Sequence, residues 1–285
     1  DTATDASFGW INASFHHDAA HFRLRAEGIA AWRRLSEQMS LPVTWQGTLC
    51  WEETGTAFDA QRETLQALGY AVQEIDRDAF TKLEPHVAAP PDRALQFTGE
   101  AAADSPQTAR TLLSAAIKHG AQHLRGFRVD GFVEDAGRIA GVRTAAGNLH
   151  ADYVLIAAGT GSGALMQMAG TPMPMLHRPA LVVRTRPVRP VLAHILVSEF
   201  GELRQLADGS LLMPAAVSHQ ADAAESVAGD PQKIAAQVLS RLSTLLQQAA
   251  ASGALEGDAS CTAQAARRAA VEAATTAHRS TRAQA

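Results

Sequence analysis

The segment Asp152 to Leu165, DYVLIAAGTGSGAL, constrains this chain more than any other stretch. An apolar run passes without a polar break into a cluster of small residues. Only small residues let a backbone come close to a flat or anionic ligand at the end of a strand. Two turn signals precede it, Asp135-Ala136-Gly137-Arg138 and Ala145-Ala146-Gly147-Asn148, and both read as hairpins. They separate FRVDGFVE, IAGVRT and LHADYVLIAA, so the chain makes a meander and returns to a buried strand. That strand is expected to be the last parallel strand of a mostly parallel nucleotide-binding sheet, with the meander as crossover.

At 285 residues the chain can bury a sizeable core and divide in two. With 46% hydrophobic and 19% charged residues, disorder is excluded over most of the length. A formal net charge of −4, with Arg and Lys scattered, offers no attraction to nucleic acid or an anionic membrane. Cys50 and Cys261 make neither a metal spacing nor a disulfide framework, which fits a reducing, cytoplasmic setting without a metal site. No apolar run reaches the roughly 18 residues of a membrane span, and no secretion signal is recognisable. Asp1 stands where a methionine would open a natural chain, and the sequence is read as incomplete.

Ala6 to Asn12, ASFGWIN, has no clear period and reads as a loop or short turn. From Ala19 to Met39, Phe22, Ile29, Trp32, Leu35 and Met39 recur along one helical face. Val43, Trp45, Leu49 and Trp51 alternate with Thr44, Gln46, Thr48 and Cys50, the period of one half-buried strand. Phe58, Leu65 and Leu68 mark a helix closed by Gly69. Ser105-Pro106 reads as N-cap and N1 of a helix whose stripe is Leu112, Leu113, Ala116 and Ile117. Further on, 176–186, 191–199, 202–206 and 210–213 read as strands of an antiparallel sheet with Asp208-Gly209 as a hairpin turn. Asp230-Pro231 opens a helix with Ile234, Val238, Leu242 and Leu245 along one face.

ASFGWIN, the string LEPHV at 83–87, the helix after Ser105, the meander, DYVLIAAGTGSGAL and the turn DGSLLM follow one another in an order that resembles the D-amino-acid oxidase and dehydrogenase family, which also holds glycine and sarcosine oxidases. The resemblance runs over roughly residues 6–250. It implies a mixed α/β fold: a partial two-dinucleotide-binding domain with a β-meander, interleaved with a substrate domain on an antiparallel sheet. Residues 1–40 and 100–170 would form the FAD-binding part, 41–99 and 171–250 the substrate part, and 251–285 a disordered tail, because its alanine-rich sequence lacks large apolar residues. The implied reaction is oxidative deamination: hydride leaves the carbon next to an amine, with FAD as electron sink, and water hydrolyses the imine.

The resemblance carries over residue by residue. Ala157, Ala158, Gly159, Thr160 and Gly161 match the small-residue segment where the backbone passes the flavin; a strand end packed against a helix would use the same residues. Val129 matches the position whose backbone meets the adenine, and an ordinary core valine reads identically. Ser7 and Asn12 match a segment beside the isoalloxazine and could bond the flavin or its phosphates, with Trp10 packing on it; a capped turn around a buried tryptophan is the alternative. Arg204 suits a substrate carboxylate because its planar fork pairs bidentately, although solvated strand arginines are common. His177 is a further substrate-binding candidate; with His194 and His219 it is also open to a purely structural role.

Two features depart from the family pattern. The opening strand, its GxGxxG turn and the ribose-binding acid are absent from this sequence, and GTGSG at 159–163 does not replace them, because it follows the last strand. After the last helix, the expected Pro- and Gly-containing segment is replaced by alanine, arginine and threonine. The expectation is therefore an active parent protein and a 285-residue chain that alone binds FAD weakly or not at all. A non-catalytic scaffold subunit of a heteromeric flavin dehydrogenase and a decayed pseudoenzyme stay open. So do the particular amine or amino-acid substrate, the electron acceptor, and oxidase against dehydrogenase.

Overall fold

The computed structural model describes residues 3–175, 181–215 and 230–246. Its elements in chain order are β1 (Trp10–Ile11), α1 (Ala19–Met39), β2 (Val43–Thr44), β3 (Thr48–Cys50), α2 (Gly55–Ala67), β4 (Gln73–Asp76), α3 (Arg77–Leu83), β5 (Arg93–Phe97), β6 (Ala101–Ala103) and α4 (Ser105–Lys118). The meander β7 (Val129–Asp135), β8 (Arg138–Thr144) and β9 (Gly147–His150) follows, then α5 (Ser162–Met168). β10 (Val182–Pro187), β11 (Ile195–Ser198), β12 (Gly201–Gln205), β13 (Ser210–Pro214) and α6 (Pro231–Leu245) complete the chain. It divides into one compact unit of 1–112 with 179–285 and a second of 113–178.

The larger unit is built on a seven-stranded sheet of order β10-β13-β12-β11-β3-β5-β4. All its pairs are antiparallel except β11 with β3. Alternate residues of each strand enter opposite layers, as the period of two requires. Leu49, Ala94 and Leu196 join α3 and α6 through Phe80, Val238 and Leu242. Cys50, Leu95, Phe97 and Val197 join α2 through Phe58 and Leu65. Each such aliphatic or aromatic side chain contributes roughly 1.5–3 kcal/mol by leaving water. Asp230 caps α6 by accepting from the Gln232 N–H at 3.0 Å. Arg241 ties that helix to the sheet, donating to the carbonyls of Phe200, Pro214 and Ala215 at 2.9, 3.2 and 2.9 Å.

A second, three-stranded sheet of order β1-β6-β2 lies in the same unit. Ile11, Ala101 and Ala103 are its buried residues, with Ile29 and Trp32 of α1 packed on them. Asp18 caps α1 through the His21 N–H at 2.8 Å, and Ser40 ends it in the left-handed region at φ 51°.

Several expectations need correction. Residues 43–51 are not one half-buried strand. Gly47, at φ +74°, breaks the run, β2 and β3 join different sheets, and Thr48, Leu49 and Cys50 are all buried because helices cover both faces. The α4 cap lies one residue earlier than Ser105: the Asp104 carboxylate accepts from the Gln107 N–H at 2.9 Å. The α4 stripe Leu112, Leu113 and Ile117 is exposed rather than buried. The return strand ends at His150, and residues 151–158 join no ladder, with Tyr153 92% and Leu155 89% exposed. An apolar run becomes a buried strand only where neighbours satisfy its backbone. The described residues accordingly hold no mostly parallel sheet, and β11 with β3 is their sole parallel pair. Of the strand expected at 176–186, the described part is β10; residues 251–285 lie outside the described residues.

Candidate functional site

Within the larger unit, the segment 7–12, the end of β6 and Arg204 of β12 converge at Gly9. Gly9 adopts φ +71°, and its carbonyl accepts from the Ala103 N–H at 2.8 Å, extending the β1–β6 ladder in which Trp10 faces Ala102. A Cβ at Gly9 would collide with the Ala103 carbonyl oxygen and stand 3.1 Å from Arg204 Nη2 and 3.2 Å from Ser105 Oγ. No side chain fits there, so the bare backbone lets the three pieces meet.

Arg204 is 5% exposed. Its Nη2 donates to the Ala103 carbonyl at 3.2 Å, and its guanidinium stands 5.4 Å from the centre of the Phe8 ring. Nε has no hydrogen-bond partner, and no carboxylate among the described residues comes within ion-pair distance. Burial pushes this guanidinium down to about 10, with Asp104 acting against the shift and Arg184 adding to it. It is still ionised at neutral pH. A buried cation without an anion is unfavourable unless something supplies one.

Ser7 is exposed, and its Oγ accepts from the Gly9 N–H at 3.1 Å, shaping the turn. Asn12 is buried. Its backbone carbonyl and Oδ1 accept from Arg25 Nε and Nη2 at 3.0 and 2.6 Å, which leaves Nδ2 as the donor it can offer a ligand. Trp10 turns its indole N–H inward, to Thr48 Oγ1 at 3.1 Å and Glu100 Oε2 at 3.0 Å. Its ring meets Phe15 edge-on at 5.2 Å.

His194 is held by Glu84, whose Oε1 accepts from the Ala193 and His194 N–H groups at 3.0 and 2.7 Å and lies 2.8 Å from His194 Nδ1. These contacts fasten the entry to β11, a structural task. His177 and His219 lie outside the described residues. Cys50 is buried and burial pushes its thiol up, so it is not a nucleophile. Two buried carboxylates escaped the sequence reading. Glu84 sits within LEPHV, and Glu100 is a lone acid between Gly99 and Ala101-Ala102-Ala103, a signal that an acid in a small, apolar run has a partner.

In the smaller unit, Val129 opens β7 opposite Thr144 and is half-buried. Ala157, Ala158, Gly159, Thr160 and Gly161 are exposed. Gly159, at φ +56°, begins a single 3-10 turn, Gly159–Gly161, that leads into α5. A Cβ at Gly159 would meet nothing within 4 Å, and at Gly161 only Ala158 Cβ at 3.8 Å. That open, small-residue backbone leaves room for a flat ligand, while the Nε of Arg204 is a buried donor without a partner.

The comparisons with known proteins bear on this geometry. The family described as "FAD dependent oxidoreductase" matches residues 1–270. The hydrogen cyanide synthase subunit HcnC of Pseudomonas aeruginosa is 30% identical over 163 residues, covering 57% of this chain and 36% of the relative. A D-amino acid dehydrogenase of Cereibacter sphaeroides is 31% identical over 136 residues, covering 46% of this chain and 31% of the relative. The matched stretches thus span about a third of these relatives' length. Among solved structures, glycine oxidase from Geobacillus kaustophilus superposes with a TM-score of 0.69 at 20% identity, over 86% of this chain and 68% of that one. It shares the mixed α/β fold. With sequence match, fold and small-residue turn in agreement, the chain belongs to the FAD-dependent oxidoreductase family, whose cofactor is FAD.

Proposed function

We propose that this protein oxidises the C–N bond of an amino acid, with Arg204 binding the substrate carboxylate. The observation that carries the reading is the buried guanidinium whose Nε has no partner, set against the glycine-opened segment 7–12. A carboxylate bound there would supply the missing anion and accept two parallel N–H bonds. That pairing would fix the substrate carbon in one orientation. FAD, when bound, supplies the hydride acceptor. Within the smaller unit, the backbone of 157–161 and Val129 would hold it; separately, the larger unit offers Asn12 Nδ2 as a donor, and the FAD-binding share of the chain is read as 1–40 and 100–170. An amino-acid substrate is supported by two of the names, D-amino acid dehydrogenase and glycine oxidase, which differ on which amino acid. A reducing, cytoplasmic setting rests on the cysteine usage of the sequence.

The test is anaerobic mixing of the FAD-loaded parent protein with a panel of amino acids and their decarboxylated amines. Bleaching of the flavin by amino acids, with release of ammonia, is the expected result. Bleaching by neither set, with flavin tightly bound, overturns the reading. One observation favours a second role, as a subunit of a larger assembly: a relative bears the name of a synthase subunit. Co-purification of a tagged chain from its native cells in a defined complex would support that role, and a monodisperse active monomer would remove it.

A further inference from the structure

We propose that Glu100 is a positioning residue that sets the place of the segment Trp10–Ser14. This rests on the reading above, in which that segment faces the flavin. Glu100 is fully buried, and its carboxylate accepts from three donors. Trp10 Nε1 donates to Oε2 at 3.0 Å; Tyr70 Oη donates to Oε1 at 2.8 Å; the Ser14 N–H points to Oε1 at 3.4 Å. Tyr70 closes the ring by accepting from the Ala13 N–H at 3.4 Å. Three positions of the segment, Trp10, Ala13 and Ser14, are thereby tied to one carboxyl group and one phenol.

The chemistry of this cluster is selective. An ionised carboxylate only accepts, and so matches three donors at once, whereas an amide of the same shape brings two N–H donors of its own. Burial raises the Glu100 carboxyl, and the hydrogen bonds from its surroundings act against that rise. Burial and the neighbouring Glu100 push the Tyr70 phenol up, so it stays a donor. The Arg25 charge favours the ionised form of Glu100 while its own head holds Asn12. A buried acid is costly to keep without such partners. Here it holds a segment in which only Trp10–Ile11 lies in a ladder and the chain leaves regular structure after it.

The experiment compares Glu100→Gln and Tyr70→Phe with Glu84→Gln, a buried acid at a different place. In isotope-labelled protein without added FAD, the Trp10 indole N–H resonance, assigned through Trp10→Phe, is read for each variant. Glu100→Gln is expected to shift it and Tyr70→Phe to shift it less. Glu84→Gln is expected to lower thermal stability and leave it unmoved. In the FAD-loaded parent protein, Glu100→Gln is expected to weaken flavin retention at least about tenfold. An unmoved Trp10 resonance in both Glu100→Gln and Tyr70→Phe overturns the inference. A moved resonance with unchanged flavin retention upholds the positioning role and instead overturns the assignment of the segment to the flavin.

Discussion

Replacing Arg204 by methionine should raise the stability of the ligand-free protein while lowering its affinity for carboxylates. The fall of the guanidinium from 12.5 to about 10 corresponds to about 3 kcal/mol of unfavourable burial. Methionine keeps the length and removes the charge. It forfeits the Phe8 contact, worth about 0.5–1 kcal/mol, and leaves the Ala103 carbonyl without this donor, about 1 kcal/mol. The balance is a gain of about 1–2 kcal/mol, read as about 2–4 °C in Tm for each kcal/mol in a chain of this size. Losing a bidentate charge-assisted pair costs about 1.5–3 kcal/mol of substrate binding, which is about ten- to a hundredfold in KM at 1.4 kcal/mol per tenfold. Thermal melts of the FAD-free protein, with KM for an amino acid and its decarboxylated amine, measure both halves. A less stable variant with an unchanged KM for the amino acid would refute the reasoning, because Arg204 would then be an ordinary structural arginine.

Two further outcomes follow from the geometry. Gly9→Ala should destabilise the protein by more than the roughly 1–2 kcal/mol of a left-handed backbone, since the new methyl meets the Ala103 carbonyl; a lower denaturant midpoint at constant m is the readout. Glu74 is held down to about 2, chiefly by its hydrogen bond with Arg93 and also by Arg62. Its folded value lies below the unfolded one, so its stabilisation is present above about pH 4.5 and is lost as pH falls through about 2. The Tm gap between the parent and Glu74→Gln should therefore close over that window, and a gap independent of pH would contradict the assignment.

Much of the local structure was legible because it is written in short-range terms. The helix at 19–39 appears at the bounds its 3.6-residue period indicates. The helix closed by Gly69 and the meander at 129–150 also follow from turn chemistry. The site was legible only as candidates. That Arg204 lacks an anion, that Trp10 spends its N–H on Glu100, and that Asn12 is clasped by Arg25 depend on residues 101, 90 and 13 positions away. No local pattern encodes such distances.

The opening stretch shows where the division lies. By itself, the sequence determined that residues 152–165 run from apolar strand-like character into a small-residue turn, and with the motif order it determined the family. Local composition suffices for a glycine turn, whose backbone freedom belongs to the residue itself. Only the tertiary structure decided that 151–158 stand outside every ladder among the described residues while β3, read as half-buried, is covered on both faces. Burial and strand pairing are properties of neighbours, and neighbours are supplied by the fold rather than by the segment that needs them.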